Sequence, residues 1–495
     1  MSGWGREEGK SGFFLLTTRG CLSAAGGMAL LMAQVGPVLA AETGAPHLDG
    51  RTLGLGWVAP FAGVLLSIAL LPLLTPSLWH HHFGKVAAGW GLAFLLPFAV
   101  VHGVELAIYE VVHTALLEYI PFIILLTALF TVAGGVRVSG TLAGTPAVNT
   151  ALLAGGTCAA SLMGTTGAAM LFIRPLLRAN SIRRYRQHTV VFFIFLVANI
   201  GGALTPLGDP PLFLGFLKGV DFFWPTLHLA APTGVAVAVL LILYWGIDTA
   251  LIRHERVLSP AVVDKGPQEP LTLEGWINLP LLLGILATVM VAGVWRPGIS
   301  LTVYHVTVPL ESVVSNGLLL LISALSLRLT PQESRLRNGF SWGPILEVAK
   351  LFAAIFLTII PAIAILRAGS EGALAGVVAL VTGPDGQPVT AMYFWACGLL
   401  SSVLDNAPTY LVFFNTAGGD AAILMENLPL TLAALSAGAV YMGANTYIGN
   451  APNFMVKSIA EERGVVMPSF FGYMLWSGGI LLPLFGVLTV LFFWK

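Results

Sequence analysis

The feature that most constrains this chain is a series of apolar segments, each long enough to cross a lipid bilayer. A spanning helix needs about 20 mostly apolar residues. Eight segments meet that condition without interruption: 54–74, 85–103, 113–135, 225–247, 276–295, 309–329, 344–366 and 468–494. Only 10% of the residues are charged, whereas soluble domains carry about 25%. The chain is therefore expected to be an all-α polytopic membrane protein and not a soluble enzyme.

Four further apolar stretches are interrupted near their middles by glycine, proline and polar residues. Two of them, 147–177 and 388–416, predict re-entrant helical hairpins, with tips at 164–167 and 405–408. The other two predict discontinuous helices: 189–219, broken at 204–211, and 428–462, broken at 445–452. Together with the simple spans, this gives about eleven transmembrane helices and two re-entrant hairpins.

The interruptions recur at one fixed spacing. Gly164 and Asp405 are 241 residues apart, and so are Gly208 and Gly449. The string Gly-Ala-x-Thr-x-x-Gly-x-x-Pro begins at Gly202 and again 241 residues later. Self-similarity at a fixed spacing indicates an internal duplication. We therefore predict two repeats, at 54–247 and 276–494.

Loop charge predicts that the two repeats have opposite orientations. Five arginines follow the first hairpin: Arg174, Arg178, Arg183, Arg184 and Arg186. After the second hairpin come Asp420 and Glu426, with no lysine or arginine before residue 457. Short cytoplasmic loops are rich in lysine and arginine. The first hairpin should open to the cytoplasm and the second to the outside, with a cytoplasmic linker at 248–275.

The N-terminal segment has a separate interpretation. Basic residues precede an apolar stretch that ends in small residues near position 41. This pattern predicts that residues 1–41 are a signal peptide or, alternatively, an uncleaved first helix. Both interpretations place residue 42 outside the cytoplasm.

Backbone breaks at membrane depth leave polar groups that need partners, so they persist where they line a polar cavity. In secondary transporters, such breaks in inverted repeats mark the binding site. The predicted ion- or substrate-binding residues are Gly164, Thr165, Thr166, Asn199, Thr205, Gly208, Asp209, Asp405, Asn406, Thr409, Asn445, Thr446, Gly449 and Asn450. Asp209 and Asp405 are the predicted sodium ligands, since hard cations prefer oxygen.

The strings at 199–209 and 404–408 resemble those of the ion transporter superfamily, and within it the NhaD-type sodium/proton antiporters and the bacterial citrate transporter family. The resemblance covers about 54–494. It implies that the two hairpin tips and two unwound helices meet at the membrane midplane. It also implies a fixed scaffold part, a moving transport part and, often, a homodimer, in a bacterial inner membrane.

Three functions remain open at this stage. The carboxylate carriers of the superfamily resemble one another in Ser-Asn-Thr triplets at both tips, and this chain departs from that pattern. Two aspartates favour exchange of sodium ions for protons, whereas citrate or another di- or tricarboxylate is the alternative substrate. The i, i+3 pairs His102/Glu105 and Glu110/His113, in a predicted outside loop, raise an intramembrane metalloenzyme as a third alternative. Neither a nucleic-acid partner nor a bound cofactor is expected, because the net charge is zero and nucleotide-binding motifs are missing.

Overall fold

The computed structural model describes residues 48–140, 142–258 and 270–494 and is 76% helical. Within these residues, seven helices are long and apolar enough to cross a membrane. A bent pair at 343–367 counts as an eighth span, and two shorter apolar helices add to these. The prediction of an all-α polytopic membrane protein is confirmed, while the inverted-repeat topology stays a prediction. The predicted signal peptide or first helix at 1–41 lies outside the described residues.

The described residues up to position 258 form nine helices and one short strand. In chain order these are α1 (Ala59–Leu74), α2 (Pro76–His102), α3 (Val104–Thr114), α4 (Ile120–Ala133), β1 (Arg137–Ser139), α5 (Pro146–Met163), α6 (Thr165–Ala179), α7 (Gln187–Leu196), α8 (Pro210–Leu217) and α9 (Trp224–Leu258). A π-helical turn at Ala115–Tyr119 joins α3 to α4, and a 3₁₀ turn at Ile200–Leu204 follows α7.

The residues from 270 onward form twelve helices and three short strands. They are β2 (Thr272–Glu274), α10 (Asn278–Val294), β3 (Ser300–Val303), β4 (Val306–Pro309), α11 (Leu310–Leu329), α12 (Gln332–Arg337), α13 (Gly343–Thr358), α14 (Ile360–Arg367), α15 (Ala375–Leu380), α16 (Thr390–Val403), α17 (Asn406–Thr416), α18 (Ala421–Glu426), α19 (Pro429–Met442), α20 (Ala451–Glu462) and α21 (Phe470–Leu488). The strands form two antiparallel pairs, β1–β2 and β3–β4.

Two helices, α7 and α19, lie at the centre of the molecule and lead directly into the two breaks. The segment Gln187–Leu204 is 89% buried, whereas α2 is 22% buried over its most apolar window. In α19, every residue from Thr431 to Met442 is buried. A helix that is apolar all round belongs inside a protein or a membrane. The breaks after these helices are therefore held in the protein interior, away from lipid.

A buried ionic network fastens the base of the first helix pair, α5–α6, to α9. The Arg183 guanidinium donates to Asp248 at 2.8 Å and to Glu255 at 2.9 Å. His188 and Asn149 also bond Asp248, at 2.9 and 3.1 Å. Removing one member of such a buried set leaves an uncompensated charge. Although Arg183 was counted above as a loop charge, its side chain is buried with these acids.

Each of the eight uninterrupted apolar segments corresponds to a helix or to the pair α13–α14, but three boundaries differ from expectation. The span predicted at 85–103 begins at Pro76. The predicted outside loop that holds Glu105 and Glu110 is wrong: these residues lie on α3, which the π-helical turn makes continuous with α4. Helix α9 extends to Leu258, so the predicted linker at 248–275 begins as helix.

Candidate functional site

The first break is a short non-helical passage between α7 and α8. Pro206, Pro210 and Pro211 have no backbone N–H, so a continuous helix cannot pass through 205–211. Pro210 begins α8, the position where proline fits a helix start. Gly208 lies against the carbonyl of Gly202, where an added Cβ would be 2.1 Å from that oxygen. The break therefore folds back on itself and leaves Asp209 at the start of α8.

The tip of the first helix pair contacts this break directly. Gly164 has a φ of +80°, a backbone conformation that favours glycine, and it separates α5 from α6. The backbone N–H of Thr165 donates to the Gly208 carbonyl at 2.8 Å. The Thr165 hydroxyl donates to Asp209 at 2.9 Å. The tip and the break thus form one structural unit.

Asp209 is the hub at which both tips and both breaks meet. One carboxylate oxygen accepts hydrogen bonds from the Thr165 hydroxyl and from the Asn450 amide, at 2.9 and 3.1 Å. The other oxygen accepts from the Asn406 amide. Thr165 and Asn406 come from the two tips, and Asn450 comes from the second break. Asp209 is only 1% exposed, so these donors take the place of water around its carboxylate.

Asp405 has a different environment. It caps the N-terminus of α17, where its carboxylate accepts one hydrogen bond from the backbone N–H of Ala407 at 3.1 Å. No other hydrogen bond to this carboxylate is present among the described residues. The residue is half-buried and lines the same cavity as Asp209. Asp405 thus offers a carboxylate with free acceptor capacity, held by a helix N-terminus that favours negative charge.

The two aspartates line a cavity of about 110 Å³. A water molecule needs about 10–15 Å³ of such space, so the cavity has room for several waters or a partly hydrated ion. Its polar lining comprises Thr165, Thr166, Asp209, Asp405 and Asn450. Within the described part of the chain, no lysine, arginine or histidine lines it. The charged lining is therefore entirely acidic.

Several predicted residues make hydrogen bonds or close contacts in the layer of structure around Asp209. Asn199 accepts from Asn450 at 3.2 Å and donates to Asn453 at 2.7 Å. Asn445 donates to the Ser402 hydroxyl at 2.9 Å. Thr205 and Thr446 donate to the carbonyls of Ser161 and Ser402. Gly449 approaches the Gly443 carbonyl, as Gly208 approaches that of Gly202. These residues hold the tips against the breaks.

Thr409 is one of the predicted site residues that do not line the cavity. The others are Asn199, Thr205, Asn406, Asn445, Thr446 and Gly449. The Thr409 hydroxyl donates to the carbonyl of Asp405 at 2.9 Å, one turn back on the same helix. It is buried and is not among the residues that line the cavity. The threonine therefore stabilises the first turn of α17 and does not contribute to the cavity lining.

Sequence reasoning missed Ser161, Ser402 and Asn453. Ser161 donates to the Gly201 carbonyl at 2.5 Å, and Ser402 to the Met442 carbonyl at 3.0 Å. Asn453 donates to the carbonyls of Gly443 and Thr446, at 2.8 and 2.9 Å. A signal for the serines was available, because they too are 241 residues apart. The position of the first repeat that corresponds to Asn453 is a leucine, so the duplication did not point to Asn453.

Gly208→Ala should destabilise the protein, because backbone atoms of Gly202 occupy the space that a Cβ needs. Overpacking of this kind costs roughly 1–3 kcal/mol, and occasionally more. Thermal unfolding in detergent should show a lower Tm than the wild type. The matched control is Gly246→Ala in α9, where no described atom beyond the adjoining helix backbone lies within 4 Å of the added carbon. Equal Tm values for the two variants would contradict the close approach.

The metalloenzyme alternative gains no support from the geometry. Across the described ranges, no group of three or more His, Cys, Asp or Glu side chains is placed to hold a metal ion. Glu110 and His113 lie on α3, and Asp209 is satisfied by hydroxyl and amide donors. The class of protein that the fold and the site define is a membrane transporter.

Comparison with known proteins agrees with this class. The family model described as "Putative citrate transport" matches residues 50–493, and the chain belongs to that family. Two similar relatives are an uncharacterized transporter of Mycobacterium bovis and one of Mycobacterium tuberculosis. Each is 24% identical over 308 residues, which is 60% of this chain and 65% of the relative. The match to a transporter family also supports the expectation that the protein is not an enzyme.

Proposed function

We propose that the protein is a secondary active transporter that exchanges sodium ions for protons by alternating access. The observation that carries this proposal is the shared cavity of Asp209 and Asp405, whose described lining holds no cationic side chain. A carboxylate that binds either a sodium ion or a proton, and never both, couples the two flows by competition. Sodium and protons are thus the transported ions, and no bound cofactor is required.

The oxygen atoms around the cavity suit a hard cation. Thr165 and Thr166 line it with hydroxyl groups. Asn406, whose amide group donates to Asp209, has a buried side-chain carbonyl oxygen with no hydrogen-bond partner among the described residues. Buried acceptors without a partner are costly in a protein interior. A cation is one ligand that would satisfy them, because hard cations take carboxylate, hydroxyl and amide oxygens.

The two aspartates have separate roles in this proposal. Asp209 already accepts three hydrogen bonds, so it fixes the geometry and supplies negative charge. Asp405 accepts one and keeps acceptor capacity toward the cavity, so it is the group that exchanges sodium for a proton. An ionisable residue inside a membrane protein indicates a functional site.

Transport of citrate or another carboxylate is the second candidate, and the family description favours it. A di- or tricarboxylate in this cavity would meet two carboxylates and no described cationic side chain. Like charges in a low-dielectric site repel strongly, so such a substrate would need several cations to enter with it. Cation exchange needs no such assistance, and for that reason we prefer it.

Dissipation of a pH gradient in everted membrane vesicles tests the proposal. A fluorescent pH probe should report proton movement on addition of sodium, and the same assay is repeated with lithium, potassium and citrate. Uptake of labelled citrate driven by a sodium gradient is measured in parallel. A sodium response without citrate uptake supports exchange, whereas citrate uptake without a pH response to sodium alone would establish the carboxylate transporter instead.

The protein sits in a lipid bilayer as a multi-pass membrane protein. We further propose that this is a bacterial inner membrane, as the loop charges and the bacterial relatives favour. The homodimer implied by the family resemblance stays a prediction.

A further inference from the structure

We propose that five residues of α3–α4, α8 and α13 form an outer gate that separates the ion site from a second cavity. The outer gate consists of Glu118, Phe122, Phe213, Lys218 and Phe352. This inference rests on the proposed transport function and deepens it, because it names the barrier that an ion must pass on the outer side. The argument begins with Phe213, which lines both cavities.

Phe213 lies one helical turn after Asp209, and its backbone N–H is within 3.4 Å of the Asp209 carbonyl. It lines the cavity that holds Asp209 and Asp405. It also lines a second cavity of about 810 Å³. The polar residues that line this second cavity are Asp221, Arg296, Thr307, Glu311, Ser312, Ser315 and Asn316. Phe213 thus lies where the ion-site cavity and the larger second cavity approach each other.

The ring of Phe213 is held by aromatic side chains of other helices. Phe122 on α4 stacks on it with ring centroids 6.3 Å apart, and Phe352 on α13 stacks on Phe122 at 4.8 Å. The three side chains are at most 6% exposed. An ion that crosses this layer must lose its water to an apolar surface, which is strongly unfavourable. The layer is therefore a barrier to ions as long as the three rings remain packed.

Beside the aromatic layer, an ion pair joins the end of α8 to the π-helical turn that precedes α4. Lys218, at the end of α8, donates to Glu118 at 2.5 Å. Both side chains are largely buried, with 17% and 10% exposed. Glu118 lies in the π-helical turn Ala115–Tyr119, and such turns occur often at functional sites. Loss of one partner would leave a buried charge without compensation, so the pair favours the packed state of the layer.

The location of the two cavities assigns the gate to one side. The ion-site cavity is also lined by Phe130, Pro344 and Ile345, which lie toward the loops predicted to be cytoplasmic. The second cavity is lined by the 219–224 segment and by the end of α10, which the loop-charge prediction places outside. The structure is therefore closed toward the outside by the outer gate.

Cysteine labelling from outside tests the gate without measuring transport. In a variant with Cys21, Cys158 and Cys397 replaced by serine or alanine, Leu129→Cys provides a reporter on the wall of the ion-site cavity. A membrane-impermeant quaternary-ammonium methanethiosulfonate is added to right-side-out vesicles. Adding Phe213→Ala should raise the labelling rate of residue 129 at least about tenfold, equivalent to roughly 1.4 kcal/mol in the stability of the closed state. Phe213→Leu, which keeps an apolar side chain, should raise it much less.

The ion pair supplies a second set of variants. Glu118→Gln and Lys218→Met should each raise labelling of residue 129 from outside, and the exchanged pair E118K/K218E should lower it again. Ser315→Cys, in the second cavity, is the control and should label at the same rate in every variant. An unchanged rate at residue 129 in Phe213→Ala and in both pair variants would overturn the gate, even if sodium/proton exchange were measured. If exchange were absent while labelling rose as described, the gate would stand and the transported ion would be wrong.

Discussion

Asp405→Asn is expected to reduce sodium-dependent proton movement to the level of vesicles without the protein. An asparagine cannot exchange a proton for a sodium ion, so the competition that couples the two flows is lost. Stability should change little, because Asp405 accepts a single backbone hydrogen bond as the N-cap of α17. Asparagine and aspartate are about equally good N-caps. The pH-probe assay and the Tm in detergent measure the two effects on the same preparation.

Asp420→Asn is the matched control for this prediction. Asp420 also caps a helix, α18, and accepts backbone hydrogen bonds from Ala422 and Ile423. It is exposed and is not among the residues that line the cavity. Exchange should persist in this variant. Full activity in Asp405→Asn would remove Asp405 from the mechanism, and equal loss in both variants would indicate damage to helix capping.

Asp209→Asn is expected to impair both exchange and stability. The carboxylate accepts hydrogen bonds from Thr165, Asn406 and Asn450. An asparagine at this position would direct its NH2 group, a donor, toward at least one of these three donors. A buried polar group left without its partner costs roughly 1–3 kcal/mol. The Tm should therefore fall clearly below that of Asp405→Asn, and sodium-dependent proton movement should be lost.

The double variant D209N/N450D is the control, since the two positions are 241 residues apart and correspond in the duplication. Asn450 and Asp209 are hydrogen-bonded at 3.1 Å, so the exchange returns a carboxylate to the same cluster. Its Tm should lie above that of Asp209→Asn. A Tm for Asp209→Asn equal to that of the wild type would contradict the assignment of Asp209 as the hub.

The elements that the sequence predicted well are those encoded locally. Apolar segments of membrane length predicted the spans, because the bilayer sets their length. The non-helical passage around Pro206 and Pro210 followed from proline chemistry. The family resemblance implied that the two tips and the two breaks meet. That Thr165, Asn406 and Asn450 meet at the Asp209 carboxylate is a finding of the structure.

The rest depends on partners distant in the sequence. Arg183 looked like a loop charge, yet its partners Asp248 and Glu255 lie on α9, and sequence pattern alone does not give such pairings. The hydroxyl of Thr409 bonds the carbonyl four residues back, as a helical threonine often does, and is therefore not directed at the site. Glu118 likewise pairs with Lys218, 100 residues away in the sequence.

Sodium binding to the purified protein at a series of pH values tests the central claim most directly. If sodium and protons compete at Asp405, calorimetric affinity should fall as the solution becomes more acidic, approaching about tenfold per pH unit once the site is mostly protonated. The Asp405→Asn variant should bind no sodium at any pH. Sodium affinity that does not change with pH, or that survives in Asp405→Asn, would contradict exchange at this site.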